Sequence, residues 1–404
     1  MTLLLLLALW DPTLSGSLPD PVLTAGCDAV SENPALIALE EGSPASFRFV
    51  GFGAGGSSDV VTLPLLWRVA TRPVYLDAPA KQSLLDRMAD GAGSLATGTD
   101  LRLVHCQWWR VGAALTLQDR AVFEVPRDVA ELVLYGNHLG RTYRLDGLRQ
   151  DTLQYVRATA AAGFPVYRSG PLVVHAGLSA AWLRGIRCAQ TSSSSGWLLT
   201  TAQYASGRFD RLTVRSSGGD GFALGFGAVA ELGGRWRAAV ALADAPAVIW
   251  WTRGCTEKQY SVVLDSTSVM RVLQLGSLDS VLHSGDSVRP AVGFATGLPV
   301  RLTLGIGWAG SDVFRAALVG GAGGGFAGTE SGAAFGACRL MLRVLRAGAL
   351  GIDVGYRSGQ GPFGQLSLGG RLRGLTSCVT VRATLDPSRP VTDASADLSI
   401  GYTY

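Results

Sequence analysis

The stretch from Leu350 to Tyr404 constrains the fold of this chain most. In its final segment Ala396, Leu398, Ile400, Tyr402 and Tyr404 share one parity, and Ser395, Asp397, Ser399, Gly401 and Thr403 share the other. A strand sends successive side chains to opposite faces, so this segment has one apolar face and one small, polar face. The preceding segments repeat the pattern. Leu350, Ile352, Val354 and Tyr356 oppose Gly351, Asp353, Gly355 and Arg357; Leu366, Leu368 and Leu372 oppose Gln365, Ser367, Arg371 and Arg373; Val379, Val381 and Ala383 oppose Cys378, Thr380 and Arg382. A soluble sheet would bury the apolar face in a core. A membrane barrel would turn it to lipid and keep the polar face inside.

Composition separates these readings. Apolar runs never reach the ~18 residues of a spanning helix; the longest is Leu3–Trp10, at the N-terminus. Charged residues are only 16% and mean hydropathy is +0.26, so the apolar character lies in short alternating segments. The 53 glycines are scattered through them, where they would weaken a soluble strand. A soluble β-sandwich would carry denser charge on its polar faces; here arginines stand singly, as in a lumen wall. Trp182, Trp250, Trp251, Trp308, Tyr356, Tyr402 and Tyr404 lie near strand ends, matching interfacial belts. The expected class is all-β: a transmembrane antiparallel barrel in a bacterial outer membrane.

Other function classes lack support. The net charge of +4 comes from dispersed residues, giving no nucleic-acid footprint. The six cysteines and four histidines show no metal-ligand spacing. The glycines of 320–328 lack the Lys-Ser/Thr of a phosphate loop. Neither a catalytic triad nor paired carboxylates stand out, so no cofactor and no enzymatic activity are expected.

Met1–Ser17 reads as a signal peptide without the usual basic start, cleaved near Ser15–Ser17. Thr24-Ala25-Gly26-Cys27 weakly resembles a lipoprotein cleavage site, which would make Cys27 a lipid carrier. Residues 18–44 are not strand-like; 45–404 form the barrel. Alternation and turn residues place about fourteen strands at 45–54, 59–70, 101–117, 152–168, 171–187, 220–232, 235–251, 288–296, 299–309, 333–345, 348–358, 362–373, 375–386 and 392–404. Short helices are expected at 79–91 and 126–138, and loops at 252–287 and in the glycine-rich 310–332. Short links such as Ser169-Gly170 and Gly233-Gly234 alternate with long ones, the rhythm of periplasmic turns and external loops. The last strand should pair with the first.

Gly26-Cys27-Asp28-Ala29-Val30-Ser31-Glu32-Asn33-Pro34-Ala35-Leu36 resembles the mature start of FadL-type proteins, outer-membrane transporters of long-chain fatty acids and other hydrophobic compounds. Gly177–Gly185 (GLSAAWLRG), Gly221–Ala230 (GFALGFGAVA) and Tyr356–Gly364 (YRSGQGPFG) are also similar to that family. The resemblance implies a fourteen-stranded barrel plugged by an N-terminal hatch, here residues 18–44. It also implies passive transport: capture on external loops, binding in the lumen, and hatch-gated lateral release through a kink in the wall. The implied partners are hydrophobic small molecules such as long-chain fatty acids, outer-membrane lipid and the barrel-assembly machinery.

Asn33-Pro34-Ala35 either anchors the hatch to the wall through side-chain hydrogen bonds or forms a plain Asx-Pro turn. Arg301, Arg339, Arg343, Asp353, Arg357, Arg371, Arg382 and Asp397 are the candidate lumen-lining charges. The arginines either hold a ligand carboxylate or fill the lumen by pairing with Asp353, Asp397 and hatch acids. Trp250-Trp251 either lines a ligand path or belongs to the girdle. Cys188 and Cys255, both placed at the external rim, are a possible disulfide. The competing roles are a structural, adhesin or secretion-accessory barrel and a general diffusion porin.

Overall fold

A computed structural model describes residues 28–39, 45–58, 60–62, 65, 75–88, 91–268, 282–309, 314–323, 333–345, 348–357, 361–372, 375–384 and 393–403. The expected signal peptide, Cys27, Arg373 and Tyr404 lie outside these residues. The strands, in chain order, are β1 (Ala45–Ser58), β2 (Ala92–Trp108), β3 (Val111–Pro126), β4 (Thr142–Arg144), β5 (Arg149–Ser169), β6 (Leu172–Thr200), β7 (Tyr204–Ser216), β8 (Gly218–Leu232), β9 (Trp236–Ala243) and β10 (Ala247–Arg253). They continue as β11 (Thr256–Ser268), β12 (Leu282–Pro290), β13 (Phe294–Gly297), β14 (Arg301–Ala309), β15 (Phe314–Gly323), β16 (Ala333–Leu345), β17 (Gly348–Arg357), β18 (Gly361–Leu372), β19 (Leu375–Thr384) and β20 (Asp393–Thr403). Helices α1 (Ala29–Glu32), α2 (Ala78–Arg87) and α3 (Arg127–Tyr135) and a 3-10 turn, Pro34–Ala38, complete the described elements.

The last strand closes the sheet on the first. β20 pairs with β1 from Ser46↔Thr403 to Ser57↔Asp393, as the alternation predicts. Several consecutive segments act as one wall strand: β7 with β8, β9 with β10 and β11, and β12 with β13 and β14. Counted this way, the barrel has fourteen antiparallel strands. Burial inverts the soluble pattern. In β20, Leu398 and Ile400 are 50% and 46% exposed, whereas Ser395, Asp397 and Ser399 are buried. The apolar face looks outward and the polar face lines the lumen. No helix among the described residues is long and apolar enough to cross a membrane. A closed barrel leaves no sheet edge unpaired in lipid, and this one turns its apolar face outward, as a membrane barrel does.

The expected strand list reaches the same number by compensating differences. The second strand, paired with β1, is β2; most of the expected segment 59–70 lies outside the described residues. Ser58 Oγ accepts hydrogen bonds from the Val60 and Val61 amides at 3.2 and 2.9 Å, ending β1, and Pro64 follows in the sequence. The expected strand 101–117 is a hairpin. β2 and β3 turn at Trp109-Arg110, with Trp109 at φ 52°, although no glycine or asparagine marks the turn. The expected hairpin 288–309 is instead one interrupted descending strand, β12 to β14, and the missing partner is β15, inside the glycine-rich 310–332. The expected helices appear as α2 and α3. Asp77 Oδ1 caps α2 by accepting from Ala80 N at 2.9 Å, with Pro79 in the first turn. At Gly233-Gly234 both φ angles are positive, 61° and 67°, as a two-residue hairpin requires.

At the long-loop end β4, β6, β7, β11 and β12 extend as a sheet beyond the barrel. Asp210 holds it together by accepting from Ser195 Oγ at 2.5 Å, Ser261 Oγ at 2.6 Å and Arg208 Nε at 2.6 Å. These donors favour the carboxylate, led by Ser195, and bring its pKa down to about 2. A depressed carboxylate stabilises the fold fully above its unfolded value, about 3.9, and the contribution is lost as pH falls toward 2. Proteolysis of this sheet should therefore be flat from pH 7 to 5 and rise only below about pH 4. Asp210→Asn should be protease-sensitive throughout.

Candidate functional site

The N-terminal segment lies inside the barrel. Ala29, Val30, Ala35, Leu36 and Ile37 are almost fully buried and form one cluster with Ala114 of β3, Ala161 of β5, Val229 of β8, Ala239 of β9 and Val319 of β15. Those strands stand on different sides of the wall, so the segment lies across the lumen at their level.

Asn33-Pro34-Ala35 sits at the centre of this segment. Asn33 Oδ1 accepts from Ala35 N at 3.1 Å and Asn33 O accepts from Leu36 N at 3.0 Å, so the motif builds an Asx turn that starts the 3-10 turn. It packs closely on the wall at three glycines. Gly163, Gly177 and Gly227 are register partners across β5, β6 and β8. A Cβ on Gly227 would overlap Asn33 Oδ1, one on Gly177 would overlap the Pro34-Ala35 peptide, and one on Gly163 would lie 2.6 Å from Pro34 O. The row of missing side chains is the seat. Gln107 Nε2 donates to Ile37 O at 3.4 Å, and Arg48 pairs with Asp28 beside α1.

A second apolar cluster occupies the lumen on the long-loop side. It contains Val122, Leu153, Tyr155, Leu183, Ile249, Trp251 and Leu298, with Phe294 stacked on Trp251 at 6.2 Å between centroids. Trp251 Nε1 donates to Thr296 Oγ1 at 3.0 Å, so its polar handle is satisfied. Of the pair Trp250-Trp251, only Trp250 belongs to the outer belt. Trp251 is fully buried and faces inward.

The wall beside this cluster is interrupted. β9 and β14 pair up to Ala243↔Arg301, and β10 and β13 resume at Val248↔Gly297. Pro246 and Pro299 fall in the gap, and neither can donate to the ladder. Asp244, at φ 62°, is held from the lumen side by Arg157, whose Nη1 lies 2.6 Å from Asp244 Oδ1. Leu298 and Ala247 of the apolar cluster flank the gap inside; Val300 and Leu302 are exposed outside. β3, by contrast, pairs continuously with β5.

The candidate charges divide. Arg339 is buried, and its Nε and Nη2 reach the two Asp353 oxygens at 2.7 and 3.0 Å, while Gln365 Nε2 donates to the same carboxylate at 2.8 Å. Removing one member of such a pair costs about 3–5 kcal/mol, so Arg339 serves the wall. Asp397 pairs with Arg102 at 3.0 Å. Arg301 is exposed at the wall gap, with no acid within ion-pair distance among the described residues. The backbones of Arg343, Arg357, Arg371 and Arg382 lie in β16 to β19, and their side chains are outside the description. Cys188 and Cys255 carry free thiols. Cys188 is not at the rim: it is buried within β6, where the strand continues to Thr200. No described group of His, Cys, Asp and Glu forms a metal site.

Sequence reasoning missed Arg102, Arg157, Asp244 and Gln107. For Asp244 the available signal was Pro246 inside an expected strand. The others are single polar residues on an inward parity, which alternation places on a face without naming a partner.

The closed barrel has the fold of solved FadL-type transporters. The Ralstonia pickettii toluene transporter TbuX aligns with it at a TM-score of 0.50 and 12% identity, covering 94% of each chain. The monoaromatic hydrocarbon channel TodX, as its deltaS2S3 mutant, aligns at a TM-score of 0.55 and 10% identity over 97% of each. No protein-family model matches the sequence, and no curated protein does.

Gly177→Val should push the Asn-Pro-Ala turn off its seat. Its single-channel conductance in planar bilayers should rise several-fold over the parent, while Gly285→Ala, where a Cβ meets nothing within 4 Å, should change nothing.

Proposed function

We propose that the protein is an outer-membrane channel for passive uptake of small hydrophobic molecules. The observation that carries this reading is the apolar cluster around Tyr155, Leu183, Ile249 and Trp251, placed directly beyond the plug. A polar solute would lose hydration there without gaining hydrogen bonds. A hydrophobic one loses nothing. The similar channels carry toluene and monoaromatic hydrocarbons by name, which supports neutral aromatic compounds as the ligand class here.

In this mechanism the external sheet and loops capture the ligand and the buried cluster receives it. The N-terminal segment, as hatch, closes the path to the periplasm. The gap at Pro246 and Pro299 supplies the lateral exit, kept shut by Arg157–Asp244 until the wall moves. Ligand moves down its own gradient, and no residue acts as a catalyst. Long-chain fatty acids are a second reading, favoured by Arg301, whose guanidinium stands at the gap without a described acid.

Proteoliposomes discriminate these roles. They should accelerate toluene uptake over protein-free vesicles and leave sucrose uptake unchanged. Equal passage of sucrose would mean a diffusion porin; passage of neither would mean a structural or accessory barrel. Arg301→Ala should lower uptake of a fluorescent long-chain fatty acid several-fold only if the carboxylate reading is right, and should leave toluene uptake unchanged.

A further inference from the structure

On the lipid-facing side of β5, β6 and β8 lies a shallow groove of about 450 Å³. Its floor is Ala158, Ala160 and Ala180, and its walls are Trp182 and Phe222. Trp182 and Phe222 are 53% and 40% exposed, and Phe222 also meets Trp250 at 5.7 Å between centroids. Small residues beside the two adjoining aromatic rings leave a shallow apolar recess.

The next outward positions toward the long-loop end are charged. Arg184 follows Trp182 by one outward step on β6, and Asp220 precedes Phe222 by one on β8. Arg184 Nη1 lies 2.8 Å from Asp220 Oδ1, and Arg253 Nη2 lies 3.2 Å from Asp220 Oδ2. The three side chains are 33%, 44% and 54% exposed in the order Arg184, Asp220, Arg253. Arg187 and Arg215 are exposed beside them, Arg187 opposite Gln154 and Arg215 opposite Ala189. The acids on this face are Asp220 and Asp119, the latter aligned with Gln154. Guanidinium groups therefore outnumber carboxylates at the height where the aromatic belt meets headgroups.

We propose that this face binds a phosphorylated, multiply acylated lipid of the outer leaflet, with an acyl chain in the alanine groove and a phosphate among Arg184, Arg253 and Arg187. Two features favour this occupant over bulk lipid. Arginine forks match phosphate oxygens, and the groove lies directly below Arg184 and Arg187 on β6, with Arg253 on β10 beside β8. The site faces outward and does not depend on what the channel carries.

Full-length protein in detergent, mixed with hexa-acylated bisphosphoryl lipid A, provides the test, with retention read by native mass spectrometry. The parent should retain this lipid at least about tenfold more than its dephosphorylated form. The pair R184E and R253E should abolish that preference, and Ala160→Trp, which fills the groove, should lower retention. Heat-modifiable gel mobility reports whether each variant is folded; if the double reversal does not fold, R253Q should shift retention in the same direction by a smaller factor. Retention indifferent to the phosphates or to charge reversal would overturn the proposal. Equal retention of phosphatidylglycerol would overturn the assignment to an outer-leaflet lipid.

Discussion

The structure depends on one closure, the hydrogen-bond ladder between β1 and β20. In hydrocarbon no water can satisfy an unpaired backbone group, so a spanning sheet has to be sealed on itself. Once sealed, it turns its apolar parity outward, and the opposite parity of the alternating strands shares one enclosed space. Most described charges there are paired across the wall. Arg339 with Asp353 and Gln365, Arg102 with Asp397, and Arg157 with Asp244 are consequences of that enclosure. Of the candidate arginines whose side chains are described, Arg339 is spent on the wall and Arg301 is not.

The same enclosure gives the N-terminal segment its place. A short peptide cannot hold a turn of this kind alone in water, because nucleating a helix costs more than its few hydrogen bonds return. Inside the barrel the Asn-Pro-Ala turn is pressed onto the glycines of β5, β6 and β8 and covered by apolar residues from the facing wall. The seated turn is therefore a tertiary object: its sequence supplies the turn, and the wall supplies the seat. The gap at Pro246 and Pro299 sits just beyond that seat, beside the second apolar cluster.

Alternation made the barrel legible, because period-two patterning survives any error in strand ends. The closing pair β1–β20 and the turns at Ser169-Gly170 and Gly233-Gly234 followed directly from it. Strand ends were legible only where a turn residue marked them. At Trp109-Arg110 the pattern runs straight through a hairpin, and at Phe314–Gly323 glycine hides a strand as a loop. Of the candidate site, Asn33-Pro34-Ala35 stood out by its position, but its seat could not, since Gly163, Gly177 and Gly227 become neighbours only through register. The pairing of Arg157 with Asp244 spans two intervening strands and leaves no local trace.

Amide hydrogen exchange of the N-terminal segment in bilayer-reconstituted protein tests the central claim, that this segment is seated inside the barrel. Ala35 and Leu36 donate to Asn33 within a buried turn, so peptides covering residues 28–39 should exchange as slowly as those of β6. Complete exchange within the first seconds would place the segment in water and contradict the account.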